Sequence, residues 1–193
     1  MIVYGDLRSG NCLKVKYAAD HLQMRYEWVP VDIMKGESRT PEFLRRNPAG
    51  QVPVVELDDG RCLAQSNAII RYLGRESTLI PADAYLHAKM DELLFWEQYS
   101  HEPYVAVCRF QMVYEERALE ERDQWRVERA EQALDFMNQQ LEGREWLVGD
   151  ALSLADISLL AYTRLAPEGG FDLSSRPRVV EWVTRCESAL GIT

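Results

Sequence analysis

No apolar run in this chain approaches the roughly 20 residues that span a bilayer, and no Cys-x-x-Cys pair occurs anywhere in it. The first absence argues against a membrane-spanning helix. Because the four cysteines (Cys12, Cys62, Cys108, Cys186) lie far apart with no histidine pair beside them, neither a zinc site nor a disulfide framework is indicated. Buried, reduced thiols are expected at the last three, and Cys12 is kept open. Positive charge is also short: 22 Lys and Arg against 31 Asp and Glu give a net charge of −9, the wrong sign for a nucleic-acid or anionic-membrane surface. An anionic ligand must be caught locally. A charged segment, apolar stretch and small-residue cleavage site are missing from the N-terminus, as are repeats and low-complexity tracts. The expectation is a cytoplasmic protein with no metal, nucleic-acid or membrane partner.

What is present is two patterns in succession. "IVY" reads as a buried strand, "CLKVKYAADHL" as a helix turning Leu13, Tyr17 and Leu22 to a core, and "EWVPVDI" as a second strand. Two strands joined by a helix predict a right-handed parallel βαβ unit. A short helix at "TPEFLRRN" follows, then two antiparallel strands in "VPVVELDDGRCLAQ" around the tight-turn pair Asp59-Gly60, then a helix from "SNAIIRYL". From about Pro81 the strand signals stop. "AYLHAKMDELLFWEQYSHEPYVAVCRFQMVY" predicts one long helix or two joined near Pro103. "RVERAEQALDFMNQQL" carries an apolar stripe of Val127, Ala130, Leu134, Met137 and Leu141. In "DALSLADISLLAY" Ser153 and Asp156 predict a capping box, with Leu152 and Ile157 as its hydrophobic staple. A last helix, "PRVVEWVTRCESAL", aligns Val179, Val183, Cys186 and Leu190. The expected division is an α/β domain at 1–76, a linker at 77–84 and an all-helical domain at 85–193.

Three places could carry chemistry. In "NPAGQVPVVE" the proline after Val52 is either a trans residue on an edge strand or a cis bond, and a cis bond would turn the Val52 backbone groups outward to pair with an extended peptide. In "AQSNAII" Gln65 and Ser66 sit where a helix begins, so Ser66 serves as an N-cap, as part of an anion site, or as both. In "RSGNC" Ser9 to Cys12 fill a βα turn, the place where α/β folds commonly put ligands. Ser9 or Asn11 there is a helix cap or a ligand contact. Lys14 and Lys16 in the first turn, with Arg8, gather positive charge that suits an anion, since cations at a helix N-terminus are otherwise mildly unfavourable.

"RSGNC", "NPAGQVP" and "QSNAII" in this order, ahead of a helical half containing "SLADI", resemble the cytosolic glutathione transferases over essentially the whole chain. The resemblance implies an α/β thioredoxin-like N-terminal domain (βαβ-α-ββ-α, a four-stranded mixed sheet), an all-α C-terminal domain and a homodimer. It implies that Val52 before Pro53 pairs by backbone with the cysteinyl part of glutathione, that Gln65 and Ser66 hold the γ-glutamyl carboxylate, that Gln51 faces the glycyl end, and that Lys35 reaches the glycyl carboxylate. Ser9 matches the serine that donates a hydrogen bond to the glutathione sulfur in serine-type families. Sliding the match by two selects Asn11, where cysteine-type bacterial families place their residue, and by three selects Cys12. Tyr4, inside the first strand, is a poor substitute for a catalytic tyrosine.

The expected reaction is conjugation of the glutathione thiolate to a small, largely apolar electrophile, in detoxification. Tyr99, His101, Tyr104, Val105, Cys108 and Arg109 are the candidates for the electrophile's wall, His101 being otherwise a surface or interface histidine. Two alternatives stand beside it: thiol exchange through Cys12, and a transferase-like protein that binds partners without turnover.

Overall fold

The computed structural model describes residues 1–192 and divides into two compact units, Met1–Ser77 and the residues from Thr78 onward. In the first, β1 (Ile2–Gly5), α1 (Gly10–His21) and β2 (Glu27–Pro30) form the βαβ unit, with Ile2 opposite Glu27 and Gly5 opposite Pro30 in parallel register. After α2 (Pro41–Arg46) come β3 (Val54–Glu56) and β4 (Cys62–Ala64), and then α3 (Ser66–Gly74). β3 runs antiparallel to β1 and to β4, giving one mixed sheet in the order β2-β1-β3-β4. This is the expected four-stranded arrangement.

Strand alternation sorts β1 onto two faces. Tyr4 packs edge-on against Phe43 of α2, their rings 6.5 Å apart, in a cluster with Val31 and Val54. Gly5 belongs to the opposite face, and a Cβ there would lie 3.0 Å from the Cys12 sulfur and 3.0 Å from the Trp28 ring. Glycine at this position is what lets the first turn of α1 sit against the strand end. The buried face of α1 is Cys12, Val15, Ala18 and Ala19, each without exposure, together with Tyr17. Leu13 and Leu22 are only half-buried. Of the expected stripe Tyr17 is buried, while Leu13 and Leu22 give way to small residues, which approach the sheet most closely and give the weaker sequence signal. Ile69 and Ile70 bury fully from α3, and each such side chain contributes about 1.5–3 kcal/mol.

The second unit is helical: α4 (Ala84–Trp96), a π-helical turn (Glu97–His101), α5 (Glu102–Val113), α6 (Gln124–Gln140), α7 (Leu154–Thr163) and α8 (Pro177–Leu190). The break expected near Pro103 takes the form of that π turn. Pro103 has no N–H to return to the preceding turn and its ring crowds the carbonyl there, so the helix widens just before it. Every residue of α7 is buried. A core of Val105, Ala106, Cys108, Ala130, Leu134, Tyr162, Ala166 and Phe171 joins α5, α6 and α7. On α8 the inward stripe is Val179, Trp182 and Cys186, with Val183 and Leu190 half-buried. Trp182 replaces Val183 because its indole N–H finds a partner inside, donating to Asp156 Oδ1 at 2.9 Å.

The capping box is present. Asp156 Oδ2 accepts from the Ser153 backbone N–H at 2.9 Å and from its hydroxyl at 2.7 Å, while Oδ1 also accepts from the Leu147 N–H at 3.0 Å. Ile157 is buried and Leu152 half-buried at the same helix start. Among the described residues no helix is long and apolar enough to cross a membrane.

Candidate functional site

The first unit brings two of the three sequence motifs into direct contact. The Ser66 hydroxyl, at the first position of α3, donates to Asn11 Oδ1 in the first turn of α1 at 3.0 Å, across 55 residues of chain. Ser66 is 4% exposed. It does not cap its own helix; the cap position belongs to Gln65, whose side chain makes no capping bond. Gln65 holds φ 69° and ψ 110°, a left-handed φ that a residue with a Cβ adopts at a cost of about 1–3 kcal/mol and that clusters at ligand sites. The N–H groups of the first turn of α3 and the positive end of its dipole therefore lie beside Asn11.

Ser9 occupies the cap position of α1 with an extended backbone (φ −82°, ψ 121°), its carbonyl accepting from the Leu13 N–H at 2.9 Å. Its side chain makes no capping hydrogen bond to the helix. It is half-buried, and its hydroxyl lies against the Cys12 thiol. Cys12 has no exposure, and burial pushes its thiol up to about 12 despite the hydrogen bonds from the Asp6 backbone and from Ser9. The thiol is neutral at any physiological pH.

The charge expected around this turn is distributed otherwise. Lys14 is fully buried. Lys16 pairs with Asp20 one helical turn on at 2.5 Å, and Arg8 reaches Asp6 at 3.5 Å. What favours an anion here is the helix starts, not a basic cluster.

The third motif is a built loop. The Val52-Pro53 bond is cis, Pro53 is buried, and β3 starts at the next residue. Asn47, 7% exposed, holds the approach from both sides: its amide donates to the Gln51 carbonyl at 2.8 Å and its Oδ1 accepts from the Ala49 N–H at 3.1 Å. Arg39 donates to the Ala49 carbonyl at 3.0 Å, and a Cβ on Gly50, at φ 62°, would lie 2.5 Å from that guanidinium. Asn47 and Arg39 were missed by sequence reasoning. The signal for Asn47 was available, since Asn before Pro-Ala-Gly is a turn-forming pattern. Gln51 is exposed, and Val52 packs half-buried on the Tyr4 cluster. Lys35 is exposed in the loop after β2, its ammonium 3.0 Å from Asp32, whose carboxyl it holds below the usual range.

The six wall candidates lie in the helical unit and fall into two groups. Tyr99 is 81% exposed on the π turn, and Tyr104 is half-buried with its ring edge-on to Trp125 at 6.0 Å. Val105 and Cys108 sit without exposure in the core, and Arg109, 5% exposed, pairs with Glu168 at 2.6 Å. His101 is not a surface histidine. It has no exposure, and its Nε2 lies 3.1 Å from the Thr163 hydroxyl, with Trp96 6.0 Å away ring to ring. Of the cysteines expected to be buried, Cys62 is exposed because it starts β4, an edge strand.

Residues 1–75 match the pattern described as "Glutathione S-transferase, N-terminal domain", and residues 96–189 match "Glutathione S-transferase, C-terminal domain". A Fusarium protein named glutathione S-transferase-like protein LUC7 is 32% identical over 95% of this chain and 86% of its own length. The chain belongs to the glutathione S-transferase family. A crystal structure of a glutathione S-transferase from Pseudomonas fluorescens superposes with a TM-score of 0.93 at 46% identity, covering 97% of this chain and 94% of that one. A possible glutathione S-transferase from Rhodopseudomonas palustris gives 0.94 at 38% identity, covering 100% and 96%. Family membership makes the chain a transferase enzyme with glutathione as co-substrate, and identifies the α/β unit as the family's thioredoxin-like domain.

Proposed function

We propose that the enzyme conjugates glutathione to a small, largely apolar electrophile, with Ser9 as the hydrogen-bond donor to the sulfur. The observation that carries this reading is the Ser9 hydroxyl at the start of α1, uncommitted to capping and set beside a turn that Ser66 links to the start of α3. Glutathione in this reading lies extended along the end of the sheet. The γ-glutamyl carboxylate is at Gln65 and Ser66, the cysteinyl backbone pairs with Val52 before Pro53, and the glycyl end is at Gln51 and Lys35.

A free thiol with a pKa of about 8.5 is only a few per cent ionised at neutral pH, and lowering that pKa by about two units requires roughly 2.7 kcal/mol of preference for the anion. A hydroxyl donating to a charged acceptor supplies about 1.5–3 kcal/mol. The helix N-terminus adds about 0.3–1 kcal/mol. Ser9 and the start of α1 are therefore sufficient, and no general base is needed. The hydroxyl's present neighbour, the neutral Cys12 thiol, is a weak partner, so an arriving thiolate is the stronger acceptor. The sulfur lone pair then forms the bond to the electrophilic carbon, and the leaving group departs with its electron pair. The thiol proton has already gone to solvent.

Of the proposed wall candidates in the helical unit, Tyr99 is exposed and Tyr104 half-buried, so these two have side-chain surface to offer a ligand, whereas His101, Val105, Cys108 and Arg109 are buried. The proposed assembly is a homodimer, for which the exposed Tyr85 and Phe95 of α4 supply apolar surface. The proposed location is the cytoplasm, in keeping with four unpaired cysteines. Thiol exchange through Cys12 is disfavoured by its full burial and by a thiol pushed up to about 12. Retention on immobilised glutathione followed by conjugation of a generic aryl halide tests the proposal; failure to bind glutathione sinks it.

A further inference from the structure

Resting on the reading that the Val52 backbone pairs with the cysteinyl part of glutathione, we propose that Arg39 is a positioning residue for that backbone, acting through the Ala49-Gly50 peptide and not by contact with the glycyl carboxylate. Residues 47–52 join α2 to β3 without regular structure. Three hydrogen bonds close this segment on Asn47: the Gly50 N–H donates to the Asn47 carbonyl at 2.9 Å, the Ala49 N–H to Oδ1 at 3.1 Å, and the side-chain amide to the Gln51 carbonyl at 2.8 Å. In a trans peptide the N–H points opposite to the C=O, so the bond to the Gln51 carbonyl turns the Val52 N–H away from Asn47. Between that peptide and Asn47 stands Gly50 at φ 62°, the freest joint the chain can offer.

Arg39 locks that joint from outside the segment. Its Nη1 donates to the Ala49 carbonyl at 3.0 Å, so the Ala49-Gly50 peptide plane is gripped on both edges, its N–H by Asn47 and its C=O by Arg39. The same side chain lies along Gly50: a Cβ there would be 2.5 Å from Nη1, 2.9 Å from Cζ and 3.0 Å from Cδ. Gly50 is accordingly buried while Ala49 and Gln51 on either side of it are exposed. Arg39 is itself well placed to act as a strut. It ends a 3₁₀ turn (Glu37–Arg39), its N–H donates to the Gly36 carbonyl at 2.8 Å, and the neighbouring Ser38 is 4% exposed. The next residue, Thr40, caps α2 by accepting from the Phe43 N–H at 3.3 Å. Glu37 ties the turn back to the end of β2, its carboxylate accepting from the Asp32 N–H at 2.6 Å. The orientation of the peptide ahead of Val52 is thus set by a part of the chain ten residues earlier.

The test compares glutathione with γ-glutamylcysteine, the dipeptide that keeps the cysteinyl part and lacks the glycyl residue, by calorimetry and steady-state kinetics on the full chain. Arg39→Ala is expected to weaken binding of both ligands by the same factor, about fivefold, and to raise KM while leaving kcat within about twofold. Gly50→Ala, which crowds the guanidinium and removes no charge, is expected to show the same equal loss. The double variant should lose no more than about the larger of the two single losses, because both substitutions break one contact. An independent readout is amide hydrogen exchange in Arg39→Ala, expected to be about tenfold faster at the Gly50 N–H with the β3 amides unchanged. A loss confined to glutathione, with the dipeptide unaffected, makes Arg39 a direct contact of the glycyl carboxylate and overturns the proposal. Unchanged exchange at Gly50 overturns it as well, and glutathione recognition stands in either case. A wild-type protein that fails to bind glutathione overturns both readings.

Discussion

Ser9 opens α1 in the first unit and Ser153 opens α7 in the second, and their surroundings differ in almost every respect. Ser153 is 1% exposed and its hydroxyl and backbone N–H both go to Asp156, which also takes the Leu147 N–H and the Trp182 indole. That helix start is closed on itself. Ser9 is half-buried, follows a strand, and leaves its helix uncapped by its side chain. A capped start lowers the energy of the fold, whereas an uncapped one keeps donors that a ligand can use. What separates the two is whether an acidic residue stands three positions on. Asp156 does so for Ser153, while the corresponding residue after Ser9 is Cys12, which turns into the sheet.

The comparison can be broken most severely at Asp156. Asp156→Ala strands several buried donors, each costing about 1–3 kcal/mol when unpaired, so a loss of at least about 3 kcal/mol is expected in urea unfolding. A loss under about 1 kcal/mol would mean the hub is dispensable. Ser9→Ala comes next and acts on the other side. Conjugation is expected to fall at least tenfold, equivalent to about 1.4 kcal/mol of barrier, with glutathione affinity within a few-fold. Stability should change by less than about 0.5 kcal/mol, since no cap is lost. Unchanged turnover would move the sulfur contact to backbone donors. Ser153→Ala sharpens the contrast with the opposite signature, about 0.5–2 kcal/mol of stability lost with kinetics of the folded protein unaltered.

The smallest effect is expected at Cys12. Cys12→Ala should leave conjugation within about twofold at neutral pH, because the native thiol is not ionised there. The pH dependence of stability supplies a second readout. The folded thiol titrates at about 12 against 9.0 for a free one, so folding retains the proton that the unfolded chain releases. The contribution is complete below about pH 9 and is lost as pH rises towards 12, by up to about 1.4 kcal/mol per pH unit. Alkaline unfolding of Cys12→Ala should therefore be shallower than that of the parent; identical curves would count against the buried thiol.

The βαβ-α-ββ-α element order, the helix break near Pro103 and the Ser153 box could be read from the chain because each rests on local chemistry: alternation, a missing N–H, a donor and acceptor three residues apart. The phase of α1 could not, since Cys12, Val15, Ala18 and Ala19 are small, and a stripe of small residues is outweighed on paper by Leu13 and Leu22. The sequence pattern puts Lys14 in an anion-facing charge cluster and His101 on the electrophile's wall or the surface, and tertiary packing buries both instead. The site was legible as three motifs but not as a network. The Ser66 to Asn11 bond joins residues 55 positions apart, and no local rule reports which of two polar side chains will be spoken for by the other. Asn47 was passed over in favour of the proline beside it, although it is the residue that ties down both Ala49 and Gln51.

Gln65 marks a boundary for anyone seeking a sturdier version of this enzyme. A sequence selected for thermal endurance alone would place glycine where φ is 69°, and a stability-guided redesign would be drawn to the same replacement. That change would relax the backbone and erase the side chain next to the proposed carboxylate anchor in a single step. Under the proposed reading the awkward glutamine is a position at which robustness and recognition compete for one residue, and a thermostabilised variant should be built around it.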